Sequence, residues 1–332
     1  MDNRTSGKKR NVKVNRVIED LCKPPAWHEH EHNRRFANVF LPSRHKVLEC
    51  VEELRQVMFP GYFGYREFRS DTQGYHIGAN LDRALYTLQE ETRHALRYVV
   101  GREFPGSRVL ATPDQTERII DSFLETLPEV KRKLMADARA CYEWDPAVTI
   151  PEAPIFCYPN MMALTSYRIA HELYNLGVPF IPRIITEHAH SLSGIDIHPG
   201  AQIGEEVFID HGTGVVIGQT CVLGDRVRLY QAVTLGVKKF EMDEETGRPK
   251  KCVPRHPIVE HDTVIYTGAT ILGRITVGHH SIIGARVFLT SNLPPYSIIF
   301  EPSASVASVK KAARERAKKI EQEEARGDEN RM

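Results

Sequence analysis

Asp196 and His211 have the residue types that acid–base chemistry needs. A carboxylate bonded to one imidazole nitrogen fixes the tautomer and leaves the other nitrogen free to take a proton. The same two residues also make an ordinary surface ion pair, so the pair alone does not decide. Arg255 and His256 follow a polar, charged stretch and precede Pro257. Arginine offers a planar fork that matches a carboxylate, although a loop Arg-His dipeptide is just as readily solvated. An early run, His28-Glu29-His30-Glu31-His32, has metal-binding residue types. Without supporting cysteines it reads as a solvated segment.

Two periodicities describe the elements that must position these residues. Val47, Leu48, Val51, Leu54 and Met58 recur at helical spacing, as do Leu81, Leu85, Leu88, Leu96 and Val99. Thr112-Pro113 reads as a helix start, with Ile119, Ile120, Phe123, Leu124 and Leu127 following. Pro128 is expected to kink or break that helix. A further helix through Tyr167, Leu173 and Leu176 should stop at Gly177, and a last short one should cover Ile184 to His190.

From about residue 195 the period is six. Aliphatic residues stand at Ile197, Ile203, Ile209, Ile217, Leu223, Leu229 and Leu235, then at Val259, Ile265, Ile271, Val277, Ile283 and Leu289. Smaller residues follow four places later, among them Ala201, Val207, Thr213, Cys221, Val227 and Val233. Such a recurrence is the signature of a parallel β-helix, three repeats to a coil. The step from Ile209 to Ile217 is eight, and the pattern lapses between Leu235 and Val259; irregularities of this kind mark candidate functional sites. On an 18-residue coil, Asp196 and His211 are expected on the same prism side in adjacent coils, which stack at about 4.8 Å.

The fold class expected is α+β. An N-terminal extension (1–40) precedes a helical domain with its connector (41–192). A β-helix follows (193–304, with a protruding loop at 237–255), and a charged tail (305–332) ends the chain. A net charge of +1 over 332 residues gives no bulk electrostatic case for nucleic acid or membrane partners. Six scattered cysteines and a basic N-terminus with no apolar run after it point to a reducing cytoplasm.

Several segments together closely resemble the serine O-acetyltransferases of the hexapeptide-repeat acyltransferase superfamily. They are Asp196-Ile197-His198-Pro199-Gly200-Ala201, Asp210-His211-Gly212-Thr213-Gly214, Val233-Thr234-Leu235-Gly236 and Arg255-His256-Pro257. Upstream, Trp144-Asp145-Pro146-Ala147 resembles the family's Asp-Pro-Ala element. The resemblance covers roughly residues 80 to 300. It implies a left-handed β-helix and acetyl transfer from acetyl-CoA to L-serine, with His211 as general base and Asp196 orienting it. Asp145 and Asp210 would hold the serine ammonium, and Arg255 and His256 its carboxylate. Attack would be direct, without an acyl-enzyme.

Acetyl-CoA, with no metal, is the implied co-substrate. It would lie along the outside of the β-helix near Gly236, Thr267 and Gly268, with Lys238 or Lys239 toward a phosphate. The resemblance further implies a homotrimer or dimer of trimers with sites between neighbouring β-helices, and inhibition by L-cysteine. Family members often end in an isoleucine that docks into cysteine synthase. This chain ends in Met332, so that complex is expected to be weak or absent. Val237-Lys238-Lys239 replaces the family's glycine-rich stretch, and the extension before residue 40 has no clear counterpart.

Three other readings use the same residues. An acetyltransferase of this fold acting on a sugar, or on another hydroxy amino acid, would keep the base, and the sugar enzyme would not need Asp145, Arg255 and His256. A metal-dependent hydratase would need three histidines converging across neighbouring subunits around an open zinc position, for which His198, His211 and His256 are candidates. A scaffold β-helix would leave the motifs unexplained.

Overall fold

The computed structural model describes residues 13–23, 41–64, 71–103 and 113–301. The His28–His32 run, the expected cap Thr112 and the charged tail ending in Met332 lie outside them. Within the described residues, helices α1 (13–21), α2 (Arg44–Met58), α3 (Gln73–Glu103), α4 (Pro113–Trp144), α5 (Ala153–Cys157), α6 (Pro159–Asn175) and α7 (Ile181–Ser193) precede fourteen short strands. No helix of the described residues is long and apolar enough to cross a membrane.

The helical part packs as its periodicity requires. The stripe Ile120, Phe123, Leu127, Val130, Leu134, Ala138 and Cys141 keeps three- and four-residue spacing along α4 and is buried throughout. It runs unbroken past Pro128, contrary to a break there. Pro128 sits on the exposed face, so the carbonyl it orphans opens to solvent while the buried stripe holds both halves together. Gly177 and Gly194 take positive φ (75° and 73°) just beyond α6 and α7, the left-handed stop that glycine adopts without strain.

The strands form a left-handed parallel β-helix with three faces. The first face is β1 (Asp196–Ile197), β4 (Val216–Ile217), β7 (Thr234–Gly236), β10 (Thr270–Leu272) and β13 (Phe288–Leu289). The second face is β2 (Gln202–Ile203), β5 (Val222–Leu223), β8 (Ile258–Val259) and β11 (Thr276–Val277). The third is β3 (Phe208–Ile209), β6 (Arg228–Leu229), β9 (Val264–Ile265), β12 (Ile282–Ile283) and β14 (Ile298–Ile299). All thirteen aliphatic positions read from the period point inward and are buried.

Register shows how the irregularities are absorbed. Asp196 pairs with Val216, a step of 20 residues (216 − 196), whereas Val216 pairs with Thr234 at the regular 18 (234 − 216). The two extra residues leave Thr213 exposed and put Val215 in the small inward position in its place. Val222 pairs with Ile258, a step of 36 (258 − 222), so the loop between β7 and β8 extrudes a full coil's worth of chain without disturbing the stack.

The two parts are joined by a buried ion pair. Arg168 of α6 donates to both carboxylate oxygens of Asp137 of α4 (2.7 and 2.9 Å) and to the Gly204 carbonyl (2.7 Å). The Val207 amide also donates to Asp137 (3.1 Å). Burial works against the Arg168 charge, but the Asp137 carboxylate outweighs it and raises the guanidinium pKa.

Candidate active site

The sequence-derived site residues fall on the two edges that flank the first face. At the edge between the third and first faces, β3 turns outward through Asp210 and His211. His211 adopts a left-handed conformation (φ 58°), its side chain is 70% exposed, and Nε2 lies 3.7 Å from Asp210 Oδ2. Asp145 leaves the end of α4 beside this edge. Its carboxylate accepts from the Tyr158 hydroxyl (2.6 Å) and the Ala147 amide (2.8 Å). The Tyr158 hydroxyl is pushed up to about 12, first by that hydrogen bond, then by burial and by the charges of Asp145 and Asp210. It is therefore a neutral donor that orients Asp145. Asn160 donates to the Ile209 carbonyl (2.8 Å), pinning the start of α6 to the strand that delivers Asp210.

Asp196 is not on the same prism side as His211, contrary to the expectation. The first coil takes 20 residues, so the neighbour of Asp196 in the next coil is Val216, and a position 15 residues on has only reached the third corner. Asp196 Oδ1 instead faces Arg183 Nη1 at 3.7 Å, and the carboxylate approaching His211 is that of Asp210. The two sequence segments still meet. The Gly214 amide donates to the Gly194 carbonyl (2.8 Å), and Gly212 packs directly on Ile195, the residue before Asp196.

Arg255 and His256 sit at the opposite edge, between the first and second faces. Thr220 holds them: its hydroxyl accepts from both of their amides (2.9 and 3.1 Å). Its own amide donates to His256 Nδ1 (3.2 Å). That contact makes Nδ1 an acceptor and leaves Nε2–H as the donor His256 can offer. The ring is 7% exposed. Burial, then Arg255 and Arg274, push its pKa down to about 4, so it is neutral at neutral pH. His198 shares this edge. The Gly200 amide donates to its Nδ1 (3.0 Å), and burial, then Arg183, His256 and Arg255, lower it to about 4. Arg255 extends Nη2 to Gln219 Oε1 (2.8 Å). The edge thus carries arginine cations, Arg255 among them, and neutral imidazole donors, suited to a carboxylate.

The residues expected near acetyl-CoA also divide. Thr267 and Gly268 lie on the His211 edge, where the Thr267 hydroxyl and the Gly268 amide both donate to the Gln231 carbonyl (3.2 and 3.0 Å). Gly236 accepts from the Gly273 amide (3.0 Å) near the other edge, with Lys238 beside Gly273. Within one chain His198 and His256 are neighbours at one edge and His211 stands at the other, so the three histidines of the hydratase reading meet only if two subunits join these edges. Tyr158, Asn160, Gln219 and Thr220 escaped the sequence reading. Each acts through a partner distant in sequence, and only the Tyr158-Pro159 helix start offered a local signal.

No family model matches the chain. A curated relative, the plasmid serine acetyltransferase of Synechococcus elongatus, is 49% identical over 260 residues, 78% of this chain and 81% of that one. Among solved structures, Entamoeba histolytica serine acetyltransferase 1 in complex with L-cysteine superposes with a TM-score of 0.65 at 35% identity, covering 76% of this chain and 86% of that one. The serine acetyltransferase of Brucella abortus strain S19 in complex with coenzyme A gives a TM-score of 0.50 at 27% identity, covering 80% and 95%.

Proposed function

This chain belongs to the serine acetyltransferase family, and from that premise we propose how its two edges share the acetylation of L-serine by acetyl-CoA, which yields O-acetyl-L-serine and CoA as the first step of cysteine biosynthesis. The carrying observation is that the anionic and cationic halves of the site stand on the two edges flanking one face. Serine is a zwitterion: Asp145 and Asp210 suit its ammonium, Arg255 and His256 its carboxylate. A side of about six residues at about 3.3 Å each separates the two groups by up to about 20 Å, several times the length of serine. One chain alone therefore cannot grip both ends. In a homotrimer, the third–first edge of one protomer meets the first–second edge of the next, and each interface completes one site. The helical domain is free to join two such trimers.

In the completed site His211 takes the serine hydroxyl proton as the oxygen attacks the thioester carbonyl. The new C–O bond forms, the C–S bond breaks, and the proton passes to the departing CoA sulfur. Asp210 beside the ring, and Asp196 on the strand just past the Gly194 corner, stabilise the imidazolium. The buried thiols Cys141 and Cys221 have pKa values pushed up to about 12, chiefly by burial, which leaves these two unreactive. Pantetheine runs along the outside of the β-helix past Gly236, Thr267 and Gly268, with Lys238 toward a phosphate. The relative that holds coenzyme A supports this donor, and the relative that holds L-cysteine supports end-product inhibition at the serine site.

The test is CoA release with L-serine as acceptor, for wild type and His211→Ala. The variant should lose on the order of 10²–10⁴ in rate, the usual contribution of a positioned base, and L-cysteine should compete with serine. Full turnover without the imidazole would end the proposal.

A further inference from the structure

The edge between the second and third faces, on the far side of the prism from the first face, carries a cluster that acyl transfer does not use. His261 and Asp262 form the corner after β8, and His279 and His280 the equivalent corner one coil later. The step is 18 residues in each case (279 − 261 and 280 − 262), and the two corners are tied by the His280 amide donating to the His261 carbonyl (3.1 Å). Coil stacking therefore puts like on like. The rings of His261 and His279 lie parallel at 4.8 Å, and Asp262 lies beneath His280. Asp262 and His280 both occupy left-handed corner positions (φ 57° and 55°), which turn their side chains along one column.

Three donor atoms converge there. His261 Nδ1 is 2.7 Å from Asp262 Oδ2, and His280 Nε2 is 3.8 Å from the same oxygen. One atom from each residue lies within 4.8 Å of the others. Ligands bonded to a zinc-type ion at about 2.0–2.2 Å stand about 3.3–3.5 Å apart in tetrahedral geometry, a value that the two distances bracket.

Two of the three ligands also have an outer partner. Arg226, from the coil below, donates to both Asp262 oxygens (2.7 and 2.8 Å). That grip holds the carboxylate ionised and leaves a second lone pair on Oδ2. Nδ1 of His280 meets Nδ1 of His279 at 3.1 Å. A proton donated by His280 in that contact fixes the tautomer whose Nε2 is free to ligate. The side chains of His261, Asp262 and His280 are 46%, 26% and 44% exposed, so an ion and a completing water can reach them.

We propose that His261, Asp262 and His280 form a binding site for a borderline divalent transition metal such as Zn²⁺, with His279 and Arg226 as supporting partners. Two imidazoles and one carboxylate favour such ions over Mg²⁺ or Ca²⁺. The ion would staple two successive coils and stabilise the β-helix in proportion to its occupancy. Because the cluster faces away from the serine site, the metal has no part in turnover.

The experiment is Zn²⁺ titration of chelator-stripped full-length protein, read by calorimetry and by the shift in melting temperature. One equivalent per chain should bind to wild type and be lost from His261→Ala/His280→Ala, with CoA release unchanged as the check on folding. His279→Ala should bind about 10–100-fold more weakly, as loss of an outer partner does. A His28→Ala/His30→Ala/His32→Ala variant should bind as wild type, since that run is the competing source of imidazoles. Undiminished binding in the double variant, loss of binding in the triple variant, or no tight equivalent at all would overturn the proposal. Should the double variant lose turnover, His280→Gln decides by the same readouts.

Discussion

If each serine site is completed across an interface, two inactive variants should rescue each other. His211→Ala removes the base from the third–first edge. Arg255→Ala removes the carboxylate-holding guanidinium from the first–second edge, and losing one partner of a charged hydrogen-bonded pair costs about 2–5 kcal/mol. At 1.36 kcal/mol per factor of ten, that is about 30-fold to several thousand-fold in kcat/KM. Each parent is therefore nearly silent. In a mixed trimer assembled from equal amounts, an interface is intact when an Arg255→Ala chain supplies its His211 and a His211→Ala chain supplies its Arg255. Each choice has even odds, so about a quarter of interfaces recover both groups under cyclic symmetry. Differently tagged chains are co-expressed, doubly purified and assayed for CoA release below the serine KM. Recovery to about a quarter of wild type supports the split site. Mixed trimers no more active than the sum of their parents would mean that both groups serve the same chain's site, and the assignment of edges would be wrong.

Three further outcomes follow from the same geometry. A Cβ at Gly218 would fall inside the His256 ring, so Gly218→Ala should displace that donor and lower kcat/KM for serine by on the order of 10- to 100-fold; unchanged kinetics would remove His256 from the site. Arg168→Met strands the Asp137 carboxylate in the interior and should destabilise by about 3–5 kcal/mol, while Asp137→Leu/Arg168→Met should recover most of the loss. Melting temperature at fixed protein concentration separates these. His198 and His256 titrate near 4 in the fold against 6.5 for the ordinary group, so the unfolded chain binds more protons between those values. Their contribution is complete above about pH 6.5 and is lost as pH falls toward 4. The melting temperature should fall over that window, less steeply in His256→Gln, and an equal slope would refute the assignment.

How much of this was legible depended on whether the signal was periodic or spatial. Inward aliphatics such as Ile217, Leu235 and Ile271 declare themselves because each repeat buries the same position. Asp145, Asp210, His211, Arg255 and His256 were visible as motifs, but their division between two edges was not. Period counting fails where the period changes: two extra residues lengthened one coil to 20 and gave the inward place of Thr213 to Val215, while His211, 15 residues past Asp196, stops at the corner short of the next rung. A strand at Ile298–Ile299 was missed for a like reason, since it pairs with Ile282–Ile283 at a step of 16 (298 − 282). Tyr158 left almost no trace, because its importance lies in reaching Asp145 across a turn between helices.

The two-residue insertion is itself the device that makes the edge reactive. A regular corner would carry the chain from Ile209 to the next inward position with no excess, and its side chains would lie flat against neighbouring coils. With two more residues, Val215 still fills the interior while Asp210 to Gly214 bulge outward. Gly212 and Gly214 (each φ 78°) make that bulge possible, and Gly212 must stay bare because a side chain there would strike Ile195. An imidazole on the bulge gains exposure without weakening the stack beneath it. The helical domain supplies what the bulge lacks: Asn160 fixes α6 to the strand below, and Asp137–Arg168 fixes α4 to the second–third edge. The end of α4 then has one place to deliver Asp145, beside Asp210. Rigid coils set the floor of the site, an irregular corner projects the base, and a clamped helix brings the second acid; each depends on a different stretch of sequence.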